Sequence, residues 1–179
     1  GHLCDYIVFD SAWVGYEQFI PMMKDCSPLL LDLGPEDPGI FVTQSVHKQQ
    51  AGFSMTSQIH KKDSHIREKS YYLPHDVMQD TFLMHISTSP YYPLLAGLEM
   101  NAFMHKEKGA ILWKKAFLSA TRFKKALLKD TTLFRPFLPP LVHGRKWEEE
   151  KTRTLMEDDA FFTLGPDETW HGFDGSAAD

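Results

Sequence analysis

A lysine and an aspartate each stand close behind a short apolar run, where the ends of strands are expected. Lys48 follows the run Ile40 to Thr43, and Asp10 comes directly after the run Tyr6 to Phe9. Open α/β sheets bind their ligands at the carboxyl ends of strands, so this amine and this carboxylate are predicted to face one crevice. A lysine amine attacks carbonyl groups in its uncharged form, which partial burial or a neighbouring positive charge such as protonated His47 favours.

An amine paired with a carboxylate suits one cofactor in particular. Pyridoxal phosphate needs a lysine to hold its aldehyde as a Schiff base, and an acidic group to keep its pyridine nitrogen protonated as an electron sink. On spacing alone two other interpretations stay open. Lys48 could be a solvated surface lysine, and Asp10 could be a helix N-cap or a turn residue.

The elements that must position these residues alternate between strand and helix. Continuous apolar runs predict strands at 6–9, 29–31, 40–43 and 81–84. Helices are predicted around 16–24 and from 49 to about 59. This order is typical of an α/β fold.

The second half of the chain is predicted to be helical up to a proline-rich segment. Helical spacing begins after Pro93, with a break predicted at Gly109. A second helix carries an apolar stripe made of Leu112, Trp113, Ala116, Phe117, Ala120, Phe123 and Leu127. Its neighbouring lysines are predicted to be a solvated face rather than a nucleic-acid patch. Prolines from Pro136 onward end this region, and a short strand is predicted at 161–164.

Composition excludes several classes of partner. The chain has 179 residues, of which 42% are hydrophobic and 24% charged, as in a packed domain or a piece of one. Its net charge of −5 gives no general attraction for nucleic acid or anionic lipid, and no apolar run is long enough to span a membrane. Cys4 and Cys26 match neither a disulfide framework nor a zinc pattern, which indicates reduced thiols in a cytoplasmic protein.

No metal site is predicted either. His60 and His65 have a spacing that fits neither helical nor alternate-strand ligand geometry, so a polar loop is expected there.

Both ends of the chain indicate a longer polypeptide. The first apolar run begins without a helix cap or lead-in, and 174–179 supply no closing element. Residues 1–179 are therefore expected to be one segment of a larger domain, truncated at both ends.

Two long strings of the sequence, Asp5 to Glu17 and Ser45 to Ser54, resemble the bacterial Orn/Lys/Arg decarboxylases. Shorter similar strings follow in the same order at 56–62, 85–90, 133–137 and 170–173. The resemblance spans practically the whole chain. It implies an α/β fold, namely part of the large pyridoxal phosphate-binding domain of an aspartate-aminotransferase-like (fold type I) enzyme. In that fold a mixed, mostly parallel sheet is flanked by helices.

The resemblance also implies roles for individual residues. Lys48 matches the lysine that forms the Schiff base, and Asp10 matches the aspartate paired with the pyridinium nitrogen. Ala12 matches an alanine against one face of the ring. Trp13 matches a tryptophan near the phenolic oxygen of the cofactor.

Three further residues match positions around the phosphate. Ser45 matches a phosphate ligand, and His47 matches a neighbour of the phosphate and the lysine. Ser87 matches a hydroxyl that reaches the phosphate bound in the partner subunit, which implies a homodimer with a shared active site. Met55 departs from the pattern, because relatives usually have glutamine there.

The implied reaction is decarboxylation of L-ornithine to putrescine and carbon dioxide. Lysine or arginine as the substrate, and a truncated product without catalysis, remain as alternatives. The family's phosphate-binding Ser/Thr loop and a histidine that stacks on the ring would then precede Gly1, and a carboxyl-terminal domain would follow Asp179.

Overall fold

The computed structural model describes residues 3–177. The chain divides into two compact units, Gly1–Gly109 and Ala110–Asp179. The first unit contains a three-stranded sheet, and the second contains a small aromatic core. Across the described residues, no helix is both long enough and apolar enough to cross a membrane.

The sheet of the first unit is mixed, as predicted. Its strands are β1 (Tyr6–Asp10), β2 (Gly39–Gln44) and β3 (Gln58–Lys62). β2 lies in the middle and pairs in parallel with β1 and antiparallel with β3. Ile40 and Val42 of β2 are 1% and 0% exposed, which explains why this central strand reads as a continuous apolar run.

Two predicted strands are helical instead. Leu29 and Leu30 belong to a 3₁₀ helix, Pro28–Leu30, whose first residue is a proline with its φ already fixed for a helix. The predicted strand 81–84 lies inside α2 (His75–His85), where Thr81 Oγ1 donates to the Val77 carbonyl one turn earlier. Short apolar runs fit a strand and a helix equally well, so periodicity could not separate the two.

The two helices predicted in the first unit are shorter than expected. The region 16–24 forms 3₁₀ helices at Glu17–Phe19 and Pro21–Cys26, because Pro21 has no amide proton to continue a helix. The region 49–59 contains the last residue of α1 (Val46–Gln49) and the first two residues of β3, with no helix of its own. Gly52 then turns the chain so tightly that a Cβ there would lie 2.7 Å from Thr56 Oγ1.

Helix α3 (Tyr92–Asp130) continues through Gly109, so the predicted break is wrong. A Cβ at this glycine would lie 2.7 Å from Phe19 Cδ1, which shows that close packing and not helix termination requires glycine. The predicted apolar stripe is only partly buried, since Phe123 is 65% exposed. The more buried face of α3 includes Thr121 and Lys124. Hydrophobic periodicity could not assign these two residues to a buried face, because both are polar.

Those two polar residues are accommodated by specific contacts. Thr121 Oγ1 donates to the Phe117 carbonyl at 2.9 Å. Lys124 Nζ lies 5.6 Å and 5.4 Å from the ring centroids of Phe161 and Phe162, and burial lowers the pKa of this lysine. The lysine side chain therefore packs against the aromatic core of the second unit.

The core of the second unit forms around Phe161. The buried members of this core are Leu138, Val142, Trp147, Leu155 and Phe161. A strand was predicted at 161–164, but a 3₁₀ helix (Asp159–Phe161) forms because Asp158 caps it by accepting from the Ala160 amide. A single-turn helix α4 (Thr152–Leu155) supplies Leu155.

The motif Trp170 to Phe173 forms a hairpin. Strands β4 (Thr169–Trp170) and β5 (Phe173–Asp174) pair antiparallel. His171 and Gly172 connect them with φ values of 51° and 88°, the positive values of a type I′ turn. The turn explains why His171 and Gly172 stand between the two strands, a role that the sequence alone did not show.

At the edge of the first unit, Tyr6 joins β1 to the end of β3. Its hydroxyl donates to Asp63 Oδ2 at 2.8 Å and accepts from the Leu73 amide at 2.9 Å, while Lys61 pairs with the same carboxylate. Burial, reinforced by Asp63, raises the pKa of Tyr6 from 10.0 to about 12. The folded protein therefore keeps a proton that the unfolded chain loses.

Stability should consequently fall as the pH rises from about 10 towards 12, since in that window only the unfolded chain ionises Tyr6. Tyr6→Phe removes this contribution, and its urea midpoint should decline less steeply over the window than that of the unsubstituted protein. Tyr92→Phe, at a 74% exposed tyrosine, is the matched control and should keep the original slope. Equal slopes for all three proteins would contradict the assignment.

Candidate active site

The carboxyl ends of β1 and β2 lie at the same edge of the sheet because the two strands are parallel. Asp10, the last residue of β1, is opposite Thr43 in the register of β2. The Ser11 amide then donates to the Thr43 carbonyl at 2.9 Å, which extends the pairing past the strand. Ser45 follows β2 directly, and α1 begins at the next residue. The sheet thus brings the segment after Asp10 and the segment with Lys48 to one edge.

Asp10 begins a tight turn and remains accessible. Its Oδ1 accepts from the Ala12 amide at 3.1 Å, and the side chain is exposed. The turn role that the sequence left open is therefore observed. It does not exclude a chemical role, since a carboxylate accepts several hydrogen bonds. Trp13 follows the turn and is 64% exposed.

Lys48 contacts the loop that contains Trp13. Its Nζ lies 4.7 Å from the centroid of the indole ring, a cation–π distance, and its side chain is exposed. Gly15 lets this loop approach α1 closely. With φ at +134°, it lies where a Cβ would be 2.6 Å from Gln50 Nε2. An amine, an indole and the turn of Asp10 therefore lie along one edge.

Ser45 and His47 flank the lysine in sequence. Ser45 precedes α1 and is half-buried, and its hydroxyl does not cap the helix. His47 Nδ1 lies 2.7 Å from the Thr56 carbonyl, so Nδ1 carries the proton and donates it. This bond fixes the ring and leaves Nε2 for another partner.

The sequence model of the family described as "Orn/Lys/Arg decarboxylase, major domain" matches residues 1–179. The chain belongs to the Orn/Lys/Arg decarboxylase family. The structural comparison agrees with this family and with the expected mixed sheet flanked by helices. A solved structure of Escherichia coli constitutive lysine decarboxylase superposes on this chain with a TM-score of 0.65. That structure is 27% identical in sequence, over 95% of this chain and 22% of the other.

Two curated members of the family are more similar in sequence. The constitutive ornithine decarboxylase of E. coli K12 is 58% identical over 100% of this chain and 25% of its own length. The inducible ornithine decarboxylase of the same strain is 57% identical over 99% of this chain and 24% of its own length. The chain thus spans about a quarter of the length of the curated decarboxylases it matches.

Ser87, the remaining residue that the decarboxylase family pattern singles out, lies about 40 residues after Lys48 in the sequence. It follows α2, is exposed, and accepts from the Ser89 amide at 3.2 Å through its own Oγ. The described residues show no hydrogen bond from Ser87 to Lys48 or Asp10. A role toward a partner subunit's phosphate stays a prediction.

The polar loop expected at His60 and His65 is not found in this decarboxylase-family chain. His60 lies in β3, with Nε2 3.1 Å from Gln44 Oε1, and burial lowers its pKa. His65 lies in a 3₁₀ helix, Ser64–Ile66, where Nε2 contacts the Pro38 carbonyl. Within residues 3–177, no group of three or more His, Cys, Asp or Glu side chains is placed to hold a metal ion.

Two amide side chains near this edge were missed by the sequence prediction. Gln44 accepts from Gln58 and contacts His60, and Asn101 of α3 contacts Gln50 and Ala51. One signal existed for Asn101. It falls on the same helical spacing as the apolar residues that begin α3, so it is a polar residue on a face expected to be buried.

Proposed function

We propose that this chain is part of a pyridoxal phosphate-dependent decarboxylase that converts L-ornithine to putrescine and carbon dioxide. One observation carries the proposal. Asp10 ends β1, and Lys48 lies in α1, which begins two residues after the adjacent parallel strand β2, with the indole of Trp13 beside the lysine amine. The identities of 58% and 57% to two ornithine decarboxylases support the substrate.

The residues at this edge fit the cofactor by their chemistry. Lys48 offers an exposed amine for the aldehyde, and Asp10 offers an exposed carboxylate for the ring nitrogen. Trp13 and Ala12 would line the ring. The Ser45 hydroxyl makes no helix cap and can bind phosphate, with His47 beside it.

When bound, pyridoxal phosphate supplies an electron sink for the pair released as the substrate carboxylate leaves. The chain's own residues would prepare that sink. Lys48 would bind the aldehyde of the cofactor, and the negative charge of Asp10 would favour a proton at the ring nitrogen. The indole of Trp13 lies 4.7 Å from the lysine Nζ and would help to orient the amine. Overall, L-ornithine and one proton would give putrescine and carbon dioxide.

Ornithine is favoured over the other two substrates of the family by sequence similarity. The two ornithine decarboxylases are 58% and 57% identical to this chain, whereas the superposed lysine decarboxylase is 27% identical. Comparing kcat/KM for ornithine, lysine and arginine on the complete polypeptide separates these alternatives. A chain that folds but takes up no cofactor would favour the third alternative, a product without catalysis.

The larger architecture is proposed on the same grounds. Residues 1–179 would be a segment of the large domain of an aspartate-aminotransferase-like (fold type I) enzyme, with a mostly parallel sheet. Ser87, exposed after α2, would contact the phosphate held by a second copy in a homodimer. The free, exposed Cys4 and Cys26 support a reducing compartment such as the cytoplasm.

Borohydride reduction of the cofactor-loaded complete polypeptide, followed by peptide mapping, tests the proposal. Reduction makes the bond between the lysine and the cofactor permanent, so the label should be found on Lys48. Lys106, exposed on α3, is an internal control and should carry no label. A label on any other lysine, with Lys48 unmodified, would refute the site.

A further inference from the structure

Asn101 joins helix α3 to the segment that carries Lys48. It is 6% exposed, and both the oxygen and the nitrogen of its side-chain amide form hydrogen bonds. Oδ1 accepts from the Ala51 backbone amide at 3.0 Å, and Nδ2 donates to Gln50 Oε1 at 2.9 Å. One buried residue of α3 therefore holds two consecutive residues that follow α1.

This anchor is needed because the lysine segment has little regular structure of its own. Helix α1 has a single turn, Val46–Gln49, and a helix of that length is not stable in isolation. Gln50 leaves the helix with φ −110° and ψ 178°, and the next strand begins at Gln58. The position of Lys48 must consequently be set by side-chain contacts from elsewhere in the fold.

Gln50 also lies against the loop that contains Trp13. A Cβ on Gly15 would be 2.6 Å from Gln50 Nε2, so the amide of Gln50 fills the space beside that glycine. Trp13 in turn lies 4.7 Å from Lys48 Nζ. The Gln50 side chain is thus held by α3 at one end and packs against the Trp13 loop at the other.

We propose that Asn101 is a positioning residue that acts through Gln50 to hold Lys48 and Trp13 in place for the cofactor. This inference rests on the proposed function. The described contacts place Asn101 against Gln50 and Ala51 and not against Lys48 or Asp10. Substituting it would therefore alter cofactor binding without removing a group that would touch the cofactor.

A double-mutant cycle in the complete polypeptide tests the inference. The variants are Asn101→Ala, Gln50→Met, which keeps side-chain length but loses the acceptor, and the two combined. Pyridoxal phosphate affinity, followed by the absorption of the bound cofactor, should fall about tenfold in Gln50→Met, the factor for one lost hydrogen bond, and further in Asn101→Ala, which also removes the acceptor of the Ala51 amide. The combined variant should lose little more than Asn101→Ala alone, because that substitution already removes the Asn101–Gln50 contact.

Amide hydrogen exchange at Ala51 gives a readout that needs no cofactor. Asn101→Ala should speed exchange there about tenfold, since the Ala51 amide loses its acceptor. Thr121→Ala is the matched control, because Thr121 is another buried polar residue of α3 and its Oγ1 donates to the helix carbonyl of Phe117. That control should leave cofactor affinity and Ala51 exchange unchanged.

The outcomes separate the inference from the function on which it rests. Unchanged affinity in both single variants, or additive losses in the combined one, would overturn the role of Asn101 while Lys48 is still labelled by reduction. An unsubstituted polypeptide that takes no label at Lys48 refutes the proposed function, and the inference falls with it. Should Asn101→Ala fail to fold, Gln50→Met alone decides, since it leaves α3 intact.

Discussion

Lys48→Ala should lower the decarboxylation rate of the complete polypeptide roughly a thousandfold or more, the order of loss that follows removal of a catalytic nucleophile. The amine is exposed at the end of α1 and lies beside Trp13, so it can reach a carbonyl carbon at this edge of the sheet. Alanine has no group that can replace it. The measurement is kcat with ornithine at saturating pyridoxal phosphate, together with the borohydride label.

Two controls separate covalent attachment from charge and from folding. Lys48→Arg keeps a cation that can lie over Trp13, but its guanidinium is a far poorer nucleophile, so the rate loss should persist. Lys106→Ala removes an exposed lysine of α3 and should leave the rate within about twofold. Near-normal turnover by Lys48→Ala would show that another amine serves the reaction, and the proposed site would then be wrong.

Local sequence predicted the two residues on which these experiments depend, because each follows a strand that its own residues encode. Val8 and Phe9 lead to Asp10 within β1, and Val42 and Thr43 lead to the segment of Lys48. Parallel pairing of the two strands then sets both ends at one edge. The family resemblance added roles that no spacing could supply.

Other features depend on contacts between residues far apart in the chain, and local patterns could not predict them. Asn101 contacts Gln50 across 51 positions of sequence, so the helical spacing that marks Asn101 as a buried polar residue does not reveal its partner. Thr121 and Lys124 occupy a buried line because a helix carbonyl and two aromatic rings accommodate their polar groups. Hydrophobic periodicity counts such residues as exposed and misplaces the buried face.

Asp10→Asn should slow decarboxylation about 10²- to 10³-fold, the effect expected when a preorganised charge is removed from a reaction centre. Asparagine is nearly the same size, and its own Oδ1 can still accept from the Ala12 amide, which Asp10 Oδ1 does at 3.1 Å. The turn should therefore persist while the negative charge is lost. A neutral amide no longer holds a proton on the ring nitrogen, so the electron sink is weaker.

The expected signature is a low kcat with Lys48 still labelled, since attachment of the aldehyde does not need the charge of Asp10. Asp10→Ala also removes the acceptor for Ala12, so any loss beyond that of Asp10→Asn measures the contribution of the turn. Asp5→Asn, an exposed aspartate just before β1, controls for the change in net charge and should keep the normal rate. A normal rate for Asp10→Asn would mean that the carboxylate acts only in the turn, because the turn is the one feature that this substitution preserves.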